Sequence, residues 1–413
     1  MANSYPSVDA NTQQAIYNNP QYTDNQANPS SVGKQIRLDV YEKQALLDIV
    51  KEQYFSQLAD TTDMPKNMGK TIKKFHWLPL LDDRNVNDQG LDAAGASYAN
   101  GNLYGSSKDI GTISGKMPTL TEVGGRVNRV GFTRKVIEGS IHKMGFFYEF
   151  TEEAMNFDTE AELMSHMVRE SMRGANELTE DQIQLELLQG AGVMVYTGTA
   201  TDKATMSAEG AAGTESLITY KDIQRLSVTL DENRCPKSTK IITGSRMIDT
   251  KTINSARVMF IGSELENQFR NMLDAFNNPA FIPVEKYADA GTLLNGEIGA
   301  ISQFRIVVVQ EMMHWEAAGV TAVNGLGVYR TGAGNKYNVY PALVVGSEAF
   351  TNIGFQTSGA NKKWKITTKL PGADTADRTD PYGETGFSSI KWYHGMLIQR
   401  PEWIAVLHSL AVL

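Results

Sequence analysis

The chain has 413 residues, 41 % of them hydrophobic and 21 % charged, the balance of a soluble globular protein with length for about two or three domains. A net charge of −8 argues against a dedicated nucleic-acid binder, which would carry a basic face. The single cysteine, Cys235, excludes an internal disulfide and a thiolate metal cluster within one chain, and no apolar run approaches the roughly 18 residues that span a bilayer.

Residues 1–35 are rich in Asn, Gln, Ser and Pro and have neither a charged start nor an apolar centre. They read as no signal peptide, and such a composition buries too little surface to fold alone. An arm that orders only against a partner is expected, and with no protease site evident its retention is expected too. From 36 to 60, Val40, Leu46, Leu47, Val50 and Phe55 give a helical stripe. "KTIKKFHWLPLL" is extended. Residues 82–117 carry six glycines among many Asn, Asp and Ser, the mark of a long excursion with little core of its own. β-type residues return from 118 to 151. Two extended arms therefore flank a glycine-rich tip, a hairpin-like projection of about 80 residues, and long excursions of this kind are usually functional or disordered.

Thr159 and Glu162 form a capping box that opens the next helix. Leu163, Met164, Met167, Val168, Met172 and Ala175 make one apolar face. A helix continuous to Gln189 has about 31 residues and a length of roughly 46 Å. Gly174 is a candidate bend, and Gly190 and Gly192 a stop signal. Residues 215–355 alternate helices and strands. Thr219 opens a helix with Ile223, Leu226 and Leu230 on one face, and "TKIITG" is a buried strand. Ser263 and Glu266 cap a helix with Leu265, Phe269, Met272, Leu273 and Phe276 inward. "FRIVVVQE" follows as a strand and "VYPALVVGSEAF" as a strand pair. "WKITTKL" and "MLIQRPEWIAVLHS" are strands that return to the long-helix region.

Several motifs imitate chemistry. "GKT" at 69–71 lacks the glycine of a phosphate loop, since that position is Met64, and a strand follows it. "GAGVMV" at 190–195 follows a helix rather than a strand and lacks the third glycine of a dinucleotide fingerprint. In "GEIGAISQFRIVVVQE", Gly296 and Gly299 suit a tight turn feeding a strand, because no helix N-terminus follows to hold an anion. Cys235 lies beside a proline with no histidine nearby. The histidines at 76, 142, 166, 314, 394 and 408 form no pair with metal-ligand spacing. His166 and Glu170 read as a surface pair, and Asp82–Asp83 and Glu152–Glu153 as solvated acids. No G-x-S-x-G elbow occurs. No catalytic, cofactor-binding or metal residue is nominated, so no enzyme and no cofactor is expected.

"SIHKMGFFYEFTEEAM", "FIPVEKY", "GEIGAISQFRIVV", "VYPALVVGSEAF" and "DPYGETGFSSIKWYHGMLIQRPEWIAVL", in that order, resemble the major capsid proteins of N-four-like tailed bacteriophages. The resemblance runs from about 140 to 407, and the 82–117 tip matches nothing in the family pattern. It implies an α+β, HK97-like capsid fold: an arm (1–35), an N-terminal helix (36–63), an extended loop (64–150), a peripheral domain with a long spine helix (151–214), an axial α/β domain (215–355) and return strands of the peripheral domain (356–413). It further implies hexamers and pentamers tiling an icosahedral virion shell around double-stranded DNA contacted non-specifically. Synthesis in a bacterial cytoplasm is implied, with scaffolding, portal and decoration proteins as further candidate partners and no membrane. The alternatives are a head-decoration or tail component, or an α/β enzyme.

Charge distribution adds one expectation. Residues 64–81 carry +4, 116–143 carry +4 and 151–189 carry −8. In the resembled fold the extended loop crosses a neighbour's peripheral domain, so the basic arms, including Arg126, Arg129 and Arg134, are expected to meet the acidic spine region with Glu160, Glu162 and Glu170.

Overall fold

The computed structural model describes residues 54–58, 60–64, 69–77, 110, 134–153, 163–209, 215–243, 249–253, 256–286, 294, 296–323, 328–355, 364–372, 376 and 380–412. Strand β1 (Asp60–Met64) precedes β2 (Thr71–Trp77), which pairs antiparallel with β3 (Arg134–Ser140); β4 (His142–Thr151) follows after one residue. The long helix α1 (Leu163–Gln189) leads to β5 (Val193–Tyr196) and α2 (Tyr220–Glu232). Strands β6 (Thr239–Thr243) and β7 (Asp249–Ile253) form a hairpin of their own. Then come β8 (Arg257–Gly262), α3 (Ser263–Arg270), β9 (Ile282–Pro283), β10 (Glu297–Ile301) and β11 (Phe304–Val309). The chain continues through β12 (Tyr340–Val345), β13 (Phe350–Phe355), β14 (Trp364–Lys369), β15 (Thr385–Ile398) and β16 (Ile404–Ser409).

Strands that are apolar along most of their length need a sheet covered on both faces. β8, β12 and β16 are buried at every residue and form the middle of a seven-stranded sheet, ordered β5-β16-β12-β8-β11-β10-β9. Val258 and Phe260 point to one side, where Ile183, Leu187 and Leu188 of α1 pack with Leu343, Val345, Ile404 and Val406. Met259 and Ile261 point to the other, against Ile223, Leu226 and Leu230 of α2 and Leu265 and Phe269 of α3. Each such side chain contributes about 1.5–3 kcal/mol by leaving water. The buried guanidinium of Arg257 ties the end of α2 to β8, donating to Asp231 Oδ1 at 2.6 Å and to the Cys235 carbonyl at 2.7 Å.

The second large sheet is ordered β1-β13-β15-β14, with β4 also on β15. Along β15 burial alternates through its N-terminal part, and β4 is exposed or half-buried throughout. One face, carrying Ile390 and Trp392, covers Ala175 of α1; the other is closed by the β2–β3 ribbon over Ile353 and Leu397 and is half-exposed along Phe387, Ser389 and Lys391. The first and last thirds of the chain thus share a sheet-and-helix layer, as the order of elements suggested.

Several local expectations are corrected. Only the end of the 36–60 helix falls within the described residues, where Ser56–Leu58 forms a single 3-10 turn. The start of the spine helix, with Thr159 and Glu162, and the 82–117 tip apart from Ile110 lie outside them. α3 ends at Arg270, so Leu273 and Phe276 are exposed instead of inward. The two strands of "VYPALVVGSEAF" do not pair: β12 joins the seven-stranded sheet and β13 the other. The expected boundary at 355/356 is therefore crossed, since β16 and β5 pair with the α/β strands while β13 pairs with β15. Gly190 and Gly192 end α1 by allowing close approach: a Cβ would lie 2.1 Å from Ile398 Cδ1 and 2.6 Å from the Pro401 carbonyl carbon.

Candidate assembly surface

The β2–β3 ribbon has two unlike faces, because side chains alternate along a strand. From Thr71↔Ser140 to Trp77↔Arg134 the register is unbroken. Ile72 and Ile137 turn inward onto Ile141, Ile353 and Leu397, and Lys74 Nζ donates to Thr351 Oγ1 at 3.2 Å. Gly395 lets the ribbon base come close, since a Cβ there would stand 2.3 Å from the Ser140 carbonyl oxygen. On the other face Phe75 is 54 % exposed and sits opposite exposed Val136. The Arg134 guanidinium lies 4.2 Å over the Phe75 ring, and Lys73 pairs with Glu138 at 2.6 Å. Among the described residues, nothing covers this apolar pair and its basic rim.

A second uncovered face belongs to α1. Its inward side carries more polar groups than the sequence pattern implied: Thr179 Oγ1 donates to the Ala175 carbonyl at 2.8 Å, Gln184 Nε2 reaches Met312 Sδ at 2.9 Å, and Glu180 is buried. Of the predicted apolar face, Ala175 is buried, whereas Met172 is exposed. The outward side carries Leu178, 46 % exposed, and Leu185, 45 % exposed, with Asp181 between them. Their spacing of three and four residues puts them on one stripe. This second face is apolar with acidic neighbours, the complement of the ribbon.

A third lies along β4 and β15, where an open groove of about 590 Å³ runs between Lys143, Phe146, Phe147, Glu149, Phe387 and Lys391. Phe147 is 62 % exposed.

Some of the charges in these sums are already paired within the subunit. Glu180 is consumed inside the subunit by backbone N–H groups, Glu170 accepts from Arg173 at 2.9 Å, and Glu138 neutralises Lys73. Arg126, Arg129, Glu160 and Glu162 lie outside the described residues. Arg134 on the ribbon and Asp181 on α1 lie on the two uncovered faces.

The imitated motifs are structural. Gly69 takes φ +84° in the turn before β2. Gly296 takes φ +73° in the turn before β10, whereas Gly299 lies inside β10, beside a register shift, where a Cβ would meet Phe281 Cζ at 2.4 Å. Cys235 is buried, and burial pushes its thiol up to about 11 against the opposing pull of Arg257. A thiol so protonated is a poor nucleophile. His314 stacks on Tyr340 and His408 on Tyr196. Among the described residues no group of three or more His, Cys, Asp or Glu converges as metal ligands, and no helix is long and apolar enough to cross a membrane.

A family model for phage capsid protein matches residues 135–407. The major capsid protein of Pseudomonas phage KPP21 is 55 % identical over 382 residues, covering 92 % of this chain and 94 % of the relative. Among solved structures, the capsid of Ralstonia phage GP4 aligns with a TM-score of 0.54 at 14 % identity, over 92 % of this chain and 96 % of its own. The capsid of cyanophage P-SCSP1u aligns with a TM-score of 0.50 at 13 % identity, over 91 % and 93 %.

Proposed function

The chain belongs to the phage capsid protein family and has its α+β, HK97-like fold; from that premise we propose that it is the major capsid protein of an N-four-like phage, self-assembling into the icosahedral head that encloses double-stranded DNA. The observation that carries the capsid reading is the identity to a major capsid protein along nearly the whole of both chains, and the N-four-like assignment rests on the resemblance of the sequence motifs. Hexamers and pentamers are the building rings, and residues 1–35 are the arm that orders on assembly. The extended loop is 64–150, and 151–214 and 215–355 supply most of the peripheral and axial parts, with β5 and β16 lent to the axial sheet and β13 to the peripheral one.

Within this reading, the outer face of the β2–β3 ribbon docks on the outer face of α1 in an adjacent copy. Phe75 and Val136 cover Leu178 and Leu185, with Arg134 near Asp181. Apolar burial supplies most of the holding energy, and the charges set orientation. Electron microscopy of the purified protein tests the function. Closed shells, or rings of five and six, are expected; tubes or persistent monomers contradict it.

A further inference from the structure

Glu180 occupies a core-facing position of α1, where a charged side chain is costly unless its hydrogen bonds are met. They are met by one short segment. Glu180 Oε1 accepts from the backbone N–H groups of Tyr54 at 2.8 Å, Phe55 at 2.5 Å and Ser56 at 3.2 Å. Burial pushes the carboxyl pKa up, and the backbone donors pull it back without cancelling the rise.

The side chains of the same segment fill the main core. Tyr54, Phe55 and Leu58 are buried among Ile183, Leu187 and Val258, and the Phe55 ring lies 4.7 Å from that of Phe260. Gly296 makes room for Tyr54, because a Cβ at that position would stand 2.8 Å from Tyr54 Cε1. Carboxylate and glycine, 116 positions apart in the sequence, thus shape one receptor for one piece of chain. Two residues after the segment, β1 begins its parallel pairing with β13, and the next strand is the base of the ribbon.

We propose that Glu180 and Gly296 form an internal docking site for Tyr54–Leu58, and that closing this clasp fixes β1 and the ribbon base in the position needed to meet a neighbour. Only the last step rests on the assembly reading.

The test compares amide hydrogen exchange in unassembled full-length subunits with the yield of shells. In Glu180→Ala, the amides of Tyr54, Phe55 and Ser56 should exchange at least about tenfold faster while those of β8 and β12 stay protected, and shell yield should fall. Glu180→Gln keeps one carbonyl acceptor at the same reach and should lie between, which preserves the test if the alanine variant does not fold. Gly296→Ala should loosen the same three amides through Tyr54. Unchanged exchange at residues 54–56, or loosening spread equally through β8 and β12, overturns the clasp. Local loosening with normal shell yield overturns its role in assembly. Wild-type subunits that never assemble would count against the capsid reading, while the exchange comparison would still decide the clasp.

Discussion

β12 and β4 are both strands beside α1, and they are built to opposite rules. β12 hides every residue between helices on two sides of its sheet, whereas β4 leaves Phe147 and its charged neighbours in the open. The same contrast separates two faces of α1: its inner face inserts Ile183 and Leu187 into the closed core, and its outer stripe shows Leu178 and Leu185 to solvent. Apolar surface of the first kind is spent on folding. Apolar surface of the second kind gives the subunit nothing by itself and is intelligible as surface held for another copy.

The sharpest way to separate the two kinds is truncation. Leu343→Ala, in the closed sheet, should cost about 2–5 kcal/mol in denaturant unfolding of the subunit. If it costs less than Leu178→Ala, the distinction between closed and open faces fails. A pH titration addresses the closed sheet from another side. His408 is buried in β16, where desolvation, with Lys203 adding to it, outweighs the Val195 carbonyl and lowers its pKa from 6.5 to about 4. A base whose folded pKa is depressed contributes stability above its unfolded pKa and loses it as pH falls. Stability should therefore decline between pH 6.5 and 4 by at most about 3 kcal/mol, and His408→Gln should flatten that slope. A slope unchanged in the variant would remove His408 as its source.

On the open side, Leu178→Ser with Leu185→Ser should move subunit stability by no more than about 0.5 kcal/mol each and still abolish shell formation, read by sedimentation. Retained assembly would show that the stripe is ordinary solvated surface. Smallest of all is the electrostatic effect. Arg134→Glu should weaken assembly at low salt, and Asp181→Lys in the same chain should restore part of it, since an exposed pair is worth about 0–1 kcal/mol. No rescue at any ionic strength would mean these two side chains do not meet.

Much of the closed sheet was legible because its signal is local. Runs such as Tyr340–Val345 and Ile404–Ser409 admit few readings other than a covered strand, and Ile223, Leu226 and Leu230 announce their helix face by spacing alone. The ribbon was legible as two extended arms. Strand partners were not, since sequence proximity suggested that β12 and β13 pair, whereas each had a better partner far along the chain. Glu180 was illegible for a different reason. It reads as one more acid in an acidic helix, and its role depends on backbone N–H groups 124 to 126 residues away. The one available hint was a charge at a core-facing position three residues before Ile183. Gly296 was read correctly as a turn, but its contact with Tyr54 is a tertiary fact that no local pattern carries.

The claim on which the account turns is that the ribbon of one subunit covers α1 of the next. A density map of the assembled shell, at a resolution that shows side chains, measures it directly. Phe75 or Val136 should lie within about 4.5 Å of Leu178 or Leu185 of a neighbouring subunit, with all four lost from solvent. A shell in which the outer stripe of α1 faces solvent, or is covered by another element while the ribbon lies elsewhere, contradicts it.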